Sequence, residues 1–347
     1  MTTNPKPLIP NPFVVAALFA ATLAVEGRSP EILQSVGAVP AHVAGRFRNA
    51  IGYQQASSGQ FFVFDRRAHT VFGMDAEQAS SWEIVQIGAE SGRIIDPTAF
   101  AVAPDGTFAV ADAPNGRERI QVFSPVGFRN GGFLLPGRLR PRVVLEQAVL
   151  SGIGSLQFNG RSILMSEPET GALFAEFDLS GGVTRTIGNL RQTGQEDDRD
   201  VHLALNSGIP LADPTGGFFF VFQTGKPAFR KYDRDGRLLF ERHVEGREVD
   251  PVVANLPTTW PKRRTEDGDL PLVRPTVRAA AVDRAGRLWI SFVIPYTYVY
   301  DRDGDKVRTV QFRAGGIVSP NSLFFATNGR LLVTPGLYEF DAAMPSR

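Results

Sequence analysis

A two-residue turn signal between runs of alternating apolar residues recurs along this chain, and it restricts the fold more than any other feature. The sharpest copy is Asp96-Pro-Thr-Ala-Phe-Ala-Val-Ala-Pro-Asp105-Gly106-Thr-Phe-Ala-Val-Ala-Asp112, followed by Arg119-Ile-Gln-Val-Phe123 and a turn ending at Gly127. Alternation sends successive side chains to opposite faces of a strand, and Asp-Gly supplies the positive φ of a tight hairpin. The unit therefore reads as strand, hairpin, strand, loop, strand, turn, strand.

The same grammar appears at Leu156 to Met165 around Asn159-Gly160, at Ala279 to Ser291 around Gly286, and at Leu323 to Val333 around Asn328-Gly329. Weaker copies surround Gly59 and Gly217. These six glycines lie about 43 to about 69 residues apart, close to the roughly 40 to 50 of a four-stranded propeller blade plus its link. A second phase marker agrees: Tyr232-Asp-Arg-Asp-Gly236 and Tyr300-Asp-Arg-Asp-Gly304 occupy the turn between third and fourth strands. An EF-hand reading of these pentapeptides fails, because no third ligand and no bidentate Glu follow at the needed spacing. Gly at 35 and Phe at 26 residues suit many short strands joined by tight turns. The expected fold is all-β, a six-bladed β-propeller of four-stranded antiparallel blades forming one domain over residues 28–347. The last unit lacks a fourth strand after Asp341, and Glu31 to Val36 has strand-like alternation. That N-terminal strand is expected to complete the sixth blade, which removes an open sheet edge.

The unit from Pro97 to Gly127 has a Pro-x-x-apolar-Ala start, an Asp-Gly hairpin, a Val-x-Asp ending and an Arg-Ile-Gln-Val-Phe-x-x-x-Gly close. On these residues it resembles an NHL repeat, and the chain resembles the NHL-type six-bladed propellers. The resemblance implies architecture rather than activity, since that group spans interaction scaffolds, extracellular sensors and enzymes.

In an antiparallel four-stranded blade, the second-to-third loop and the link to the next blade emerge on one face. The longest connections, residues 134–149, 189–206 and 246–273, are all inter-blade links, so one face is decorated. Loops on a rigid scaffold carry binding residues. The expected ring on that face comprises Asp65, Arg67, Asp112, Asn115, Arg117, Glu167, Gln223, Arg278 and Asn321, with Arg66, His69 and Glu169 beside them. Such a mix suits a polar ligand, because Arg forks bind carboxylates or phosphates. The stretch 246–275 holds five prolines, Trp260 and the charged run from Lys262 to Asp269, a composition that argues against regular structure. Trp260 is expected either to close over a ligand or to pin this loop to the propeller.

Metal chemistry enters through the resemblance. The peptide-amidating lyases of the NHL group use a histidine-bound zinc, and His42, His69 and His202 fall on the decorated face by parity. None of the three stands at a recognisable ligand spacing. Calcium lactonases of the gluconolactonase and paraoxonase type are also six-bladed, and Asn321, Asp112 and Glu167 are the residue types that such a calcium site uses. No resident cofactor is expected, with calcium the cation that the enzyme alternative would take. The sequence has no G-x-S-x-G, P-loop, G-x-G-x-x-G or H-E-x-x-H pattern.

Lys+Arg at 37 against Asp+Glu at 36 leaves no field that would recruit nucleic acid. Cysteine is absent, which excludes disulfide scaffolds and thiolate metal sites. Phe13 to Val25 is an apolar run too short to span a bilayer, with small residues at Thr22 and Ala24. It reads as a signal peptide over residues 1–27, so the mature chain is expected to be periplasmic or secreted and without a transmembrane segment. The expected role is a binding or interaction module for a small polar ligand, a peptide or a protein. The alternative is a calcium- or zinc-dependent lactonase-type hydrolase or lyase on the same face.

Overall fold

The structure is a computed structural model that describes residues 29–135, 141–145, 148–151, 155–265 and 268–343. The chain divides into two units, Met1–Pro30 and Glu31–Arg347. The signal-like segment, residues 1–27, lies outside the described residues.

The larger unit is built almost wholly of β-structure. Strand β1 spans Glu31–Ala38 and a short helix, α1, spans Ala41–Ala44. A first antiparallel sheet follows: β2 (Ala50–Gln55), β3 (Phe61–Asp65), β4 (Thr70–Met74) and β5 (Ser81–Val85). The second is β6 (Ala99–Val102), β7 (Phe108–Asp112), β8 (Arg119–Phe123) and β9 (Arg129–Leu134). A ribbon, β10 (Pro141–Leu145) and β11 (Ala148–Ser151), precedes the third: β12 (Leu156–Phe158), β13 (Ile163–Ser166), β14 (Ala172–Phe177) and β15 (Val183–Asn189). Helix α2 (Arg199–Leu205) leads into β16 (Gly208–Ala212), β17 (Phe218–Phe222), β18 (Ala228–Tyr232) and β19 (Leu238–His243). After helix α3 (Asp250–Ala254) comes a second ribbon, β20 (Lys262–Thr265) and β21 (Gly268–Pro271).

The remaining strands are β22 (Val277–Val282), β23 (Leu288–Phe292), β24 (Thr297–Tyr300), β25 (Lys306–Arg313), β26 (Ile317–Val318), β27 (Ser322–Phe325), β28 (Arg330–Thr334) and β29 (Tyr338–Asp341). They form one nine-stranded sheet with β1 at its centre, in the order β22-β23-β24-β25-β1-β29-β28-β27, while β26 pairs with β25. Strand β1 runs antiparallel to β29, with Ser35 opposite Phe340, and parallel to β25, with Leu33 opposite Phe312. The N-terminal strand thus joins the edges of two meanders at once. The fold is an all-β propeller of four-stranded antiparallel sheets, four of them separate.

Local chemistry explains the pattern. All six hairpin glycines of the repeat, at 59, 106, 160, 217, 286 and 329, sit at positive φ between 76° and 93°. At Gly217 the requirement is also steric, since a Cβ would meet the Tyr232 carbonyl oxygen at 2.1 Å. Second strands are buried on both faces, as in Phe61–Asp65 and Phe218–Phe222. Aromatic pairs join neighbouring sheets: Phe64 with Phe100 at 5.3 Å, Phe174 with Phe220 at 5.7 Å and Phe229 with Tyr300 at 4.7 Å. A further buried cluster joins Tyr53 and Phe61 of the first sheet to Leu332 near the C-terminus, which closes the ring.

The stretch 246–275 differs from expectation. It folds into helix α3 and ribbon β20–β21 rather than an irregular loop. Pro251 occupies the first turn of α3, where its missing N–H is tolerated, and Gly268 opens the return strand of the ribbon. Among the described residues, no helix is long and apolar enough to cross a membrane.

Candidate binding cavity

Six strands, β2, β6, β12, β16, β22 and β27, are each the first of a meander, and residues from all six line a central cavity of 850 Å³. Its walls combine the N-terminal ends of these strands with the C-terminal ends of second strands, so it opens on the face that carries the long links. Ile51, Phe64, Phe100, Leu156, Ile209 and Leu323 supply apolar surface. Polar groups stand around them: Asn49, Gln54, Thr98, Ser155, Gln157, Gln223, Asn321 and Ser322. The charged residues of the lining are Arg66, Arg67 and Arg278, and no carboxylate or histidine is among the described lining residues. The charged side chains of the described lining are thus all guanidinium groups, whose donor forks match carboxylate and phosphate geometry.

Of the expected ring, Arg67, Gln223, Arg278 and Asn321 line this cavity, together with Arg66. Arg278 and Asn321, on different meanders, meet directly: Arg278 Nη1 donates to Asn321 Oδ1 at 2.9 Å. Gln223 follows β17 and is almost fully buried. Its segment is held by Arg191, which donates to the carbonyls of Leu205, Thr224 and Lys226 and lies over the Phe222 ring at 4.0 Å. Burial pulls the Arg191 pKa down to about 10, but leaves it cationic at neutral pH.

Asp65 and Asp112 lie outside the lining and serve the backbone instead. The Asp65 carboxylate is fully buried and accepts from the backbone N–H groups of Arg48, Asn49 and Ala68. It thereby fixes the corner that presents Asn49, Arg66 and Arg67. Asp112 accepts from Ile95 N–H at 3.0 Å and from Arg119 through Nε at 2.8 Å and Nη2 at 2.9 Å. Asn115 and Arg117 sit on the exposed turn after β7, with Asn115 at φ 54°, and Glu167 opens a 3-10 turn after β13. None of these three lines the cavity.

The histidines make separate local contacts. His42 Nε2 lies 3.3 Å from the Ala79 carbonyl, His69 Nδ1 accepts from the Asp96 N–H at 3.5 Å, and His202 Nδ1 is 2.7 Å from Thr193 Oγ1. Among the described residues, no group of three His, Asp or Glu side chains converges as metal ligands. Calcium favours carboxylate oxygens and zinc favours imidazole or carboxylate. The described lining offers neither and presents three cations, so its donor set does not fit a resident divalent cation.

Trp260 packs against Val201, Ala204 and Leu205 of α2 and against Val273. Asp198 caps α2 by accepting from Val201 N–H, and its other oxygen receives Lys262 Nζ of β20 at 2.6 Å. Helix α2 also lies against β10 and β21. The inter-blade inserts therefore brace one another. The hydrogen bond from Lys262 holds the Asp198 carboxyl below the usual carboxylate range.

Sequence reasoning missed Asn49, Thr98, Ser155 and Gln157. For the first three a usable signal was present: a polar residue stands immediately before each first strand, at Asn49, Thr98, Ser155, Ser207, Thr276 and Asn321.

Comparison with known proteins agrees with the architecture. No family model matches the chain, and no curated protein matches it in sequence. Among solved structures, it is similar to a streptogramin B lyase at a TM-score of 0.50 and 9% identity, covering 83% of this chain and 91% of that one. A virginiamycin B lyase from Staphylococcus aureus gives 0.48 and 10% identity, covering 83% and 80%. The calcium-binding protein regucalcin from Agrobacterium tumefaciens gives 0.47 and 13%, covering 91% and 98%. The first likeness shows the propeller fold and nothing finer.

Proposed function

We propose that this chain is a ligand-binding propeller whose central cavity takes a small organic anion. The observation that carries the reading is the lining: Arg66, Arg67 and Arg278 are the charged residues among its described members, beside apolar side chains such as Phe64 and Leu156. Guanidinium forks match carboxylate and phosphate geometry, and Asn321, Gln157 and Gln223 complete a polar rim for hydroxyl or carbonyl groups. A thermal-shift series tests it. Small carboxylates and phosphates should raise the melting temperature at low salt, less so at high salt, and the gain should vanish in Arg67→Gln/Arg278→Gln.

The finer architecture is part of the same proposal. We read the nine-stranded sheet as two blades sharing β1, which makes six blades of NHL type within the propeller over residues 28–347. The partner is then a small polar ligand rather than nucleic acid, and the compartment is periplasmic or secreted, following the signal-like segment.

A second reading makes the same cavity an active site. Two of the similar solved propellers are described as lyases, which favours an enzyme over a passive scaffold as the kind of protein built on this fold. In a lyase or lactonase, the arginines would stabilise developing negative charge on a carboxylate or enolate. The metal-dependent form, with calcium as its cation, finds no carboxylate among the described lining residues. Turnover of a bound anion, followed by mass spectrometry, separates the two readings.

A further inference from the structure

Among the described lining residues of the central cavity, Gln223 is the most deeply buried polar one, at 6% exposure. Its main chain is fully committed. The N–H donates to the Ser207 carbonyl at 3.0 Å, and the carbonyl accepts from the N–H groups of Thr276 at 2.9 Å and Val277 at 3.1 Å. What Gln223 offers the cavity is therefore its carboxamide, and neither the oxygen nor the nitrogen of that group bonds to another described residue. Gln54 in the same wall differs. Its Oε1 accepts from the Val102 N–H at 2.7 Å and its Nε2 donates to the Phe100 carbonyl at 3.5 Å.

The segment that carries Gln223 is fixed on both sides. Thr224 Oγ1 donates to the Ala204 carbonyl at 2.6 Å and Thr276 Oγ1 to the Gly225 carbonyl at 3.0 Å, beside the bonds from Arg191. Burying an amide without partners costs stability, so the fold holds one acceptor and one donor group ready at a single point of the wall. A free cation stands across from it. The first strands neighbour one another in the cyclic order β2-β6-β12-β16-β22-β27, which sets the meander of Arg67 opposite the meander of Gln223. Arg67 is exposed and forms no hydrogen bond or ion pair with another described residue.

We propose that Gln223 is a specificity-determining residue and that the ligand carries a carboxamide as well as an anionic group. The two amides pair through two hydrogen bonds, N–H to oxygen in each direction, while the anion faces Arg67. Such a pair forms whichever way the Gln223 carboxamide is turned, because each amide brings both a donor and an acceptor. This rests on the anion-binding reading of the cavity and narrows it to a substrate class, the amide-bearing organic anion.

Calorimetric titration of two isosteric pairs into the full chain tests the inference: succinamate against levulinate, and adipamate against 6-oxoheptanoate. Within a pair, charge and length are the same and a methyl replaces the amide nitrogen. Two lengths are used because anion and amide are read at opposite walls. In at least one pair the amide is expected to bind about three- to tenfold more tightly than the ketone, the worth of one neutral hydrogen bond. Gln223→Met, unbranched and of similar volume, should abolish that preference without lowering the melting temperature, since it removes a buried polar group with no partner in the fold; Gln223→Leu serves as a second variant. Arg67→Gln should weaken all four probes and keep the preference. Equal affinities within both pairs, with the ketones still bound, would overturn the amide reading but spare the anion site. So would a preference that survives both Gln223 variants, or one lost only alongside a lowered melting temperature in both. A preference for the amide with affinities indifferent to Arg67→Gln and to salt would instead overturn the anion reading. Failure of every probe to bind would overturn both.

Discussion

Arg308 grips Glu31 through two parallel hydrogen bonds, Nε to Oε2 at 2.9 Å and Nη2 to Oε1 at 2.7 Å, across 277 residues of sequence. The same guanidinium donates to the carbonyls of Ala342 and Ala343 and lies 5.3 Å from the Trp289 ring centroid. One buried cation thus fastens both ends of the propeller to β25. Glu31→Ala should lower unfolding free energy by about 1.5–3 kcal/mol, the range for hydrogen bonds to charged groups. Arg308→Ala should cost about 2–4 kcal/mol, because it also leaves the Ala342 and Ala343 carbonyls without their donor. Urea melts followed by circular dichroism check both.

Asp65 and Asp112 separate support of the cavity from support of the fold. Asp65→Ala strands three backbone donors and loosens the corner carrying Asn49, Arg66 and Arg67. It should lose about 2–4 kcal/mol of stability and weaken anion binding at least fivefold, although Asp65 lies outside the lining. Asp112→Ala should lose about 3–5 kcal/mol, since Arg119 is left without its carboxylate. Its anion affinity should stay within about twofold. Paired melts and titrations distinguish the two outcomes.

The brace between inserts is pH-dependent at both ends. Asp198 has a folded pKa held down, first by the hydrogen bond from Lys262, so its contribution is present above the ordinary carboxylate pKa of about 3.9 and is lost as pH falls through the lower folded value. Lys262 has a folded pKa raised by the same partner, so its contribution is present below about 10.4 and is lost as pH rises through the higher folded value. Trp260 fluorescence in a Trp82→Phe/Trp289→Phe background should report both transitions. Lys262→Met should move the acid transition upward and abolish the alkaline one.

The repeat was legible because each hairpin glycine answers a local backbone requirement, and local requirements are written locally. Gly106 and the Tyr-Asp-Arg-Asp-Gly pair mark turns wherever the blades end up. The side-chain partners of Asp65 and Asp112 were not legible in that way. A carboxylate at the end of a second strand looks alike whether it faces a ligand or three backbone N–H groups, and the choice depends on how the preceding link folds back. Trp260 was obscured for a similar reason, since its packing partners Val201 and Val273 belong to different inserts. The five cavity residues that parity did place, Arg66, Arg67, Gln223, Arg278 and Asn321, lie within two residues of a first-strand start or a second-strand end, where strand direction alone determines the face.

Calorimetric titration of benzoate and of its uncharged isostere benzamide, into the unsubstituted chain and into Arg66→Gln/Arg67→Gln/Arg278→Gln, tests the anion-binding claim most directly. The account predicts that benzoate binds the unsubstituted chain with an affinity that falls as salt rises, that benzamide binds at least tenfold more weakly, and that the triple variant binds neither while keeping its fold. Equal heats from both probes, or benzoate binding that survives loss of all three arginines, would contradict it.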